Sequence, residues 1–326
     1  MKIVITGGAG FLGDRLARAL LALGDLSLAG SPARPVEELV LVDRVAPRPD
    51  LADDPRVRVV LGELGELLPA GLLDASDLVF HLAAVVSSAA ESDFDLGMRV
   101  NLATTLELLE AARALPAPPR VVFTSSLAVF GSTPALPLPA VVTDSTLPTP
   151  QSSYGIQKFI GEQLVADYAR RGLVPARSVR LMTVTVRPGV PNAAASSFLS
   201  GIVREPLAGV RSASPVPPET RVAVTSPART IEGLLLAATA SDAAWGPLTA
   251  LTLPALTVTV GGIVAALAVV AGPETAALVD WVPDAAIAAI VTTWPAEFDS
   301  ARARSLGLAA DPDFETIIRD YRRDLA

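Results

Sequence analysis

Tyr154 and Lys158 stand four residues apart in the run Tyr154-Gly155-Ile156-Gln157-Lys158, and Ser126 lies 28 residues before the tyrosine. On a helix, positions i and i+4 share a face, so the phenol and the ammonium can meet at one point. A free tyrosine titrates near ~10 and is a poor base at neutral pH, and a fixed cation within about 4 to 6 Å lowers that value. Each unit of lowering requires about 1.4 kcal/mol of preferential stabilisation of the phenolate. The chemistry on offer is proton exchange with a substrate hydroxyl, with a serine hydroxyl to orient the reacting oxygen. A packed tyrosine beside a solvated lysine gives the same spacing, so the surrounding elements must decide.

Those elements read as strands alternating with helices. Lys2 to Thr6 is a buried strand, Phe11 to Leu23 a helix with an apolar face and Glu38 to Val42 a second strand. Further strands are expected near Val57 to Leu61 and Asp77 to His81, then a long helix from about Phe94 to Leu115 and a strand from Arg120 to Thr124. The helix of Tyr154 follows, and then a strand from Ser178 to Val186. The alternation and the near-continuous apolar strands predict an α/β fold, a Rossmann-type doubly wound parallel sheet with helices on both faces. Beyond Pro188-Gly189 small residues and prolines dominate, so residues 1–187 read as the cofactor-binding domain and 188–326 as a smaller α/β substrate lobe, partly interleaved with it.

Thr6-Gly7-Gly8-Ala9-Gly10-Phe11-Leu12-Gly13 follows the first strand and opens a helix, the context that gives a glycine-rich pattern meaning. Gly7 permits the turn, Gly10 lets a pyrophosphate approach the helix N-terminus, and Gly13 allows close packing of helix on strand. Asp43 ends the second strand, where a carboxylate accepts the adenosine ribose hydroxyls and repels a 2′-phosphate, which favours NAD over NADP although Arg44 adjoins it. Glu63 and Leu64, after the third strand, can reach the adenine. His81-Leu82-Ala83-Ala84 ends the fourth strand with small residues, as close passage of a cofactor requires; His81 itself reads as a hydrogen-bonded structural residue. Ser87, just beyond, is a candidate donor to a substrate hydroxyl, with a capping role as the alternative.

Composition narrows the chemistry. The chain has 326 residues, 51% of them hydrophobic, and can bury a substantial core. A net charge of −8 with no basic run argues against nucleic acid. With no cysteine and one histidine, disulfides, thiolate metal sites and any Ser-His-Asp triad lacking His81 are excluded, and no metal is expected. A strand and a glycine turn at the start suggest no signal peptide, hence a cytoplasmic protein. The uncharged stretch from Gly246 to Gly272 is long enough to raise a membrane question, but Pro254, Thr257-Val258-Thr259 and Gly261-Gly262 break it into a strand and a short helix.

Thr124-Ser125-Ser126-Leu127-Ala128-Val129-Phe130-Gly131 leaves the fifth strand at the end where ligands bind in open α/β sheets. With the glycine loop, Asp43, the His-Leu-Ala-Ala strand end, Asn101 in its helix and the Tyr/Lys pair, the order resembles the extended short-chain dehydrogenases/reductases, the NAD-dependent epimerase/dehydratase class, nearly end to end. That resemblance implies Tyr154 as acid/base, Lys158 holding the nicotinamide ribose and lowering the Tyr154 pKa, Ser126 orienting the reacting oxygen, and Asn101 among the cofactor-binding residues. It also implies a homodimer through the helices near Phe94 to Leu115 and Ser152 to Arg171. Thr104-Thr105 departs from the Gly-Thr step usual after the helix asparagine.

Within that class, Gln151-Ser152-Ser153-Tyr154-Gly155, the run from Arg187 to Phe198 and the ending Asp299 to Tyr321 resemble a group that oxidises C2 of a four-carbon sugar acid with NAD. Where that group has a basic residue, this chain has Val190. The expected reaction is oxidation of the C2 hydroxyl of D-erythronate or a similar 2-hydroxy acid, with Asn192 a substrate contact beside Ser196 and Ser197, and Arg187, Arg204 or Arg211 facing the carboxylate. Leu127 and Ala128 are apolar where a dehydratase carries acids. A nucleotide-sugar 4-epimerase with retained NAD is the alternative, and a non-catalytic NAD-binding regulator a third reading that the intact Ser126, Tyr154 and Lys158 set argues against.

Overall fold

The computed structural model describes residues 1–189 and 195–325. Its centre is a sheet of seven parallel strands: β1 Lys2–Thr6, β2 Glu38–Asp43, β3 Val57–Leu61, β4 Leu78–His81, β5 Arg120–Ser126, β6 Ala176–Leu181 and a late short strand, Leu251–Thr252. Their order is β3-β2-β1-β4-β5-β6, and Leu251–Thr252 closes the edge by pairing with Val179 and Arg180 of β6. The chain winds one way from β1 to β3 and the other from β4 to β6. β1 and β4 are therefore neighbours at a topological switch point, and the crevice beyond their C-terminal ends is where a ligand fits.

Alternation along each strand distributes the core over two faces. Ile3, Ile5, Leu39 and Leu41 face one side, against Leu16 and Leu20 of α1 (Phe11–Leu23) and against Leu234 and Ala237 of the late helix Pro227–Thr239. Val4, Val40, Val79 and Phe123 face the other, against Leu108 and Leu109 of α2 (Thr104–Ala114) and Val165 of α3 (Ser153–Arg170). A separate core forms where the helices Ser197–Leu207, Val260–Ala271 and Phe314–Leu325 pack together beside a three-stranded sheet of Thr183–Val184, Arg221–Thr225 and Leu256–Thr259.

Two expected elements are revised. The strand expected from Ser178 to Val186 breaks at Met182: β6 stays in the parallel sheet, whereas Thr183–Val184 joins Val224 and Thr225 in the second sheet. The strand-like pattern of Ser178 to Val186 cannot reveal that change of partner, because both halves are buried strand. The long helix from Phe94 is not uniformly α-helical either: a π-helical turn at Met98–Ala103 separates Phe94–Gly97 from α2. There the Asn101 side chain is held inward by Val85 and Gln157, and the Thr104 hydroxyl donates to the Arg99 carbonyl. The uncharged stretch from Gly246 to Gly272 folds into two short strands and the helix Val260–Ala271, and among the described residues no helix is long and apolar enough to cross a membrane.

Candidate active site

The glycine loop is shaped by contacts that side chains would block. Gly7 has φ +73°, and a Cβ there would stand 2.9 Å from the Ala83 nitrogen. At Gly13 a Cβ would lie 2.2 Å from the Gly7 carbonyl oxygen, so α1 can sit this close to the loop only without one. Gly10 is the N-cap of α1 and offers no side chain, which leaves first-turn N–H groups directed at the crevice. A negatively charged group is favoured at such a helix end.

From this loop a cleft extends in two directions. One chamber, about 230 Å³, is lined by Asp43, Glu63, Leu64, Ala83, Val100 and Thr104. The other, about 280 Å³, reaches Phe11, Leu12, Ser87, Ser126, Tyr154 and Lys158. Gly7, Gly10, Leu82 and Ala84 line both. The Asp43 carboxylate accepts the Ala9 N–H at 3.1 Å and the Arg44 N–H at 2.7 Å, which pins it beside the loop. An elongated dinucleotide fits this arrangement: a carboxylate in one chamber, bare N–H groups at the waist and Ser126, Tyr154 and Lys158 in the other.

Ser126 ends β5 and caps the turn Leu127–Val129, its hydroxyl accepting the Ala128 N–H at 3.2 Å. Ser152 caps α3 in the same way through the Gly155 N–H, which starts the helix one residue before Tyr154. A Cβ on Gly155 would come 2.1 Å from the Ala128 carbonyl oxygen, so glycine there lets α3 lie against the end of β5. Tyr154 is thereby brought to Ser126, whose hydroxyl hydrogen-bonds the phenol. The Lys158 ammonium donates to the Thr124 carbonyl at 2.9 Å and lies 5.8 Å from the Tyr154 ring centroid. Burial raises the Tyr154 pKa above its usual value, while the Ser126 hydrogen bond and the Arg187 charge pull it back. Burial also lowers Lys158 to about 8, against an upward push from Glu162.

His81 and Asn101 stand behind this centre. Thr6 Oγ1 accepts the Ala83 N–H and gives its own proton to His81 Nδ1 at 2.7 Å. The ring proton therefore sits on Nε2, which donates to Thr105 Oγ1 at 3.1 Å, and Thr105 donates to the Asn101 carbonyl. Burial, with the Lys158 charge, depresses His81 to about 3, so it is neutral. Asn101, expected at the cofactor, is placed otherwise: its amide pairs with both backbone groups of Val85 and with Gln157 Oε1, while its neighbours Val100 and Thr104 line the cleft.

At the far end of the larger chamber, the Ser87 hydroxyl accepts the Ala195 N–H at 3.3 Å, so part of its capacity is committed to backbone. Of the three candidate arginines, Arg211 pairs with Asp280 on the surface, and Arg204 pairs with Glu205 and donates to the Arg187 carbonyl. Arg187 lines the chamber; its Nε donates to the Val184 carbonyl, and among the described residues no carboxylate pairs with it. Burial lowers its pKa, the Tyr154 oxygen opposing. Met182, Thr183 and Trp294 complete the wall. None of the three carried a signal in the sequence; Trp294 arrives from a loop more than a hundred residues away. Asn192 and Val190 lie outside the described residues.

The model of the NAD dependent epimerase/dehydratase family matches residues 3–216. D-erythronate dehydrogenase of Cupriavidus necator is 50% identical over 99% of this chain and 98% of its own length. D-erythronate dehydrogenase of Haemophilus influenzae is 40% identical over 98% of each. A crystal structure described as a nucleoside-diphosphate-sugar epimerase from Agrobacterium tumefaciens superposes with a TM-score of 0.87 at 40% identity, covering 99% of this chain and 94% of that one.

Proposed function

The chain belongs to the NAD dependent epimerase/dehydratase family, enzymes of the extended short-chain dehydrogenase/reductase type with NAD as cofactor, and from that premise we propose that it oxidises the C2 hydroxyl of D-erythronate or a closely similar 2-hydroxy acid. The observation that carries the reading is Arg187, a guanidinium with no carboxylate partner among the described residues, lining the chamber that holds Tyr154 and Ser126. A small acid brings the missing negative charge. Both dehydrogenase relatives bear the name of that substrate, which supports the choice.

When bound, NAD supplies the hydride acceptor. Gly7, Gly10, Phe11, Leu12 and Gly13 would hold its pyrophosphate, Asp43 the adenosine ribose, and Lys158 the nicotinamide ribose. Ser126 donates a hydrogen bond to the C2 oxygen, and Tyr154, as phenolate, takes the C2 hydroxyl proton. Burial disfavours that phenolate, while the Ser126 hydrogen bond and the Arg187 charge oppose it, and the Lys158 ammonium, 5.8 Å from the Tyr154 ring centroid, would add to them. Arg187 and Ser87 orient the acid, and Leu127, Met182 and Trp294 shed water from the opposite wall.

The test is turnover: a panel of C4 to C6 aldonates and uronates with NAD and with NADP, followed by absorbance of the reduced cofactor. D-Erythronate with NAD is expected to lead. The second reading, a nucleotide-sugar 4-epimerase with retained NAD, draws on the name of the Agrobacterium structure. Interconversion of a UDP-sugar with no net reduction, and no turnover of any aldonate, would replace the first reading with it.

We further propose that residues 1–187 carry the cofactor and 188–326 the substrate, with Pro227–Thr239 and Leu251–Thr252 returning to the first body. A homodimer through α3 and the helix around α2 is the assembly we propose, supported by the exposed Leu106, Ile156 and Ile160; sedimentation velocity reads it.

A further inference from the structure

Three successive residues of β5 grip three successive turns of α3. Ser126 bonds Tyr154, the Thr124 carbonyl takes the Lys158 ammonium, and the Ser125 hydroxyl donates to Glu162 Oε1 at 2.5 Å. Tyr154, Lys158 and Glu162 stand at i, i+4 and i+8, along one face of the helix. Glu162 is 2% exposed, and its two oxygens also receive Arg180 Nε at 2.8 Å and Nη2 at 2.7 Å. A buried pair of this kind is a poor device for stability, since apolar residues of similar volume commonly do as well or better. Its place beside the reacting centre gives it another use.

Lys158 is also 2% exposed, and its ammonium has one oxygen acceptor among the described residues, the Thr124 carbonyl, with the Phe123 ring centroid 4.8 Å away. The groups around it are the neutral His81 from β4, Tyr154 and Glu162 from its own helix, and Arg180 from β6, which is bound to Glu162. Burial favours loss of its proton, and Glu162 is the group that opposes the loss.

We propose that Glu162 is a positioning residue of the reaction: Ser125 and Arg180 lock its carboxylate one helical turn behind Lys158, and the fixed negative charge keeps the ammonium charged beside Tyr154. Arg180 contributes by geometry, holding both oxygens so that the carboxylate cannot rotate away. The inference rests on Lys158 supporting Tyr154 as proposed above. It is read without substrate or cofactor, so it stands or falls separately from the choice of sugar acid.

The composition makes the measurement direct. Lys2 and Lys158 are the only lysines among the 26 basic residues, and Lys2 is a surface group donating to the Asp74 carbonyl. Protein labelled with ¹³C at the lysine ε-carbon therefore gives two signals, of which Lys158 is expected to titrate near pH 8. In Glu162→Gln that midpoint falls by roughly one pH unit or more, Lys2 does not move, and Glu162→Asp restores most of the shift. The alkaline limb of the pH–activity profile should move down in parallel. If Glu162→Gln does not fold, Glu162→Gln/Arg180→Met, which removes both buried charges, takes its place; the midpoint is still expected to fall, but by less, because loss of the Arg180 charge offsets part of the effect. A folded variant of either kind with the Lys158 midpoint unchanged overturns the proposal.

Discussion

The Lys158 ammonium is tied to the backbone of Thr124, two residues before Ser126, at 2.9 Å. One strand end thus positions both the hydroxyl proposed to orient the substrate oxygen and the cation proposed to favour the phenolate. The distance between serine and tyrosine is therefore set by the seating of α3 on β5, which is a packing matter before it is a chemical one.

Removing the phenol while keeping the ring should separate chemistry from binding. Tyr154→Phe is expected to lower kcat by ~10²- to 10⁴-fold, with NAD affinity, read by fluorescence quenching, changed only a few-fold. Turnover at the wild-type rate would remove Tyr154 from the proposed role.

Arg187 should matter to acids and not to neutral alcohols. Arg187→Met is expected to cost about 2 to 5 kcal/mol in kcat/KM for the aldonate, and Arg187→Lys should recover little, because Nε is already committed to the Val184 carbonyl. Equal losses for an acid and its uncharged polyol analogue would argue that the residue only supports the fold.

Gly155 tests the packing argument. In Gly155→Ala the new methyl meets the Ala128 carbonyl oxygen, a backbone atom that cannot swing aside. A stability loss of roughly 1 to 3 kcal/mol is expected in thermal or urea unfolding. Displacement of Tyr154 by even ~1 Å should add a loss of about 10²-fold in kcat. A variant as stable and as active as the parent would show that α3 can shift freely.

His81 predicts a pH dependence of stability. Its folded pKa is about 3 against 6.5 for the free side chain, so between these values the unfolded chain binds a proton that the folded one refuses. The stabilisation is fully present above pH ~6.5 and is lost as pH falls toward 3. Urea midpoints should decline from pH 7 to 4, and His81→Gln, which removes the chain's one imidazole, should flatten that decline. A variant with the same slope as the parent would assign the acid sensitivity elsewhere.

Much of this was legible from one dimension because the relevant physics is local. A strand, a glycine turn and a helix N-terminus follow one another in the chain, so the loop from Gly7 to Gly13 announces a dinucleotide cleft by itself. Tyr154 and Lys158 share a helix face by their spacing, and Asp43 ends a strand whose pattern is plain. The parallel sheet followed from strands buried on both faces. Even the reading of His81 as structural agrees with its two hydroxyl partners, Thr6 and Thr105.

Contacts between distant segments were not legible. Only the folded chain shows that Arg187, among three candidate arginines, lines the chamber without a carboxylate partner among the described residues, or that Asn101 is spent on Val85 and Gln157. The break at Met182, where one strand-like stretch divides between two sheets, and the arrival of Trp294 at the chamber wall depend on which surfaces meet. The sequence by itself determined the fold class, the cofactor cleft and the placing of Tyr154 and Lys158 on one helix face, because each rests on neighbours within a few residues. The tertiary structure alone decided which charges are paired and which are left facing the cavity, because pairing is a property of distance in space and the chain pattern carries no measure of it.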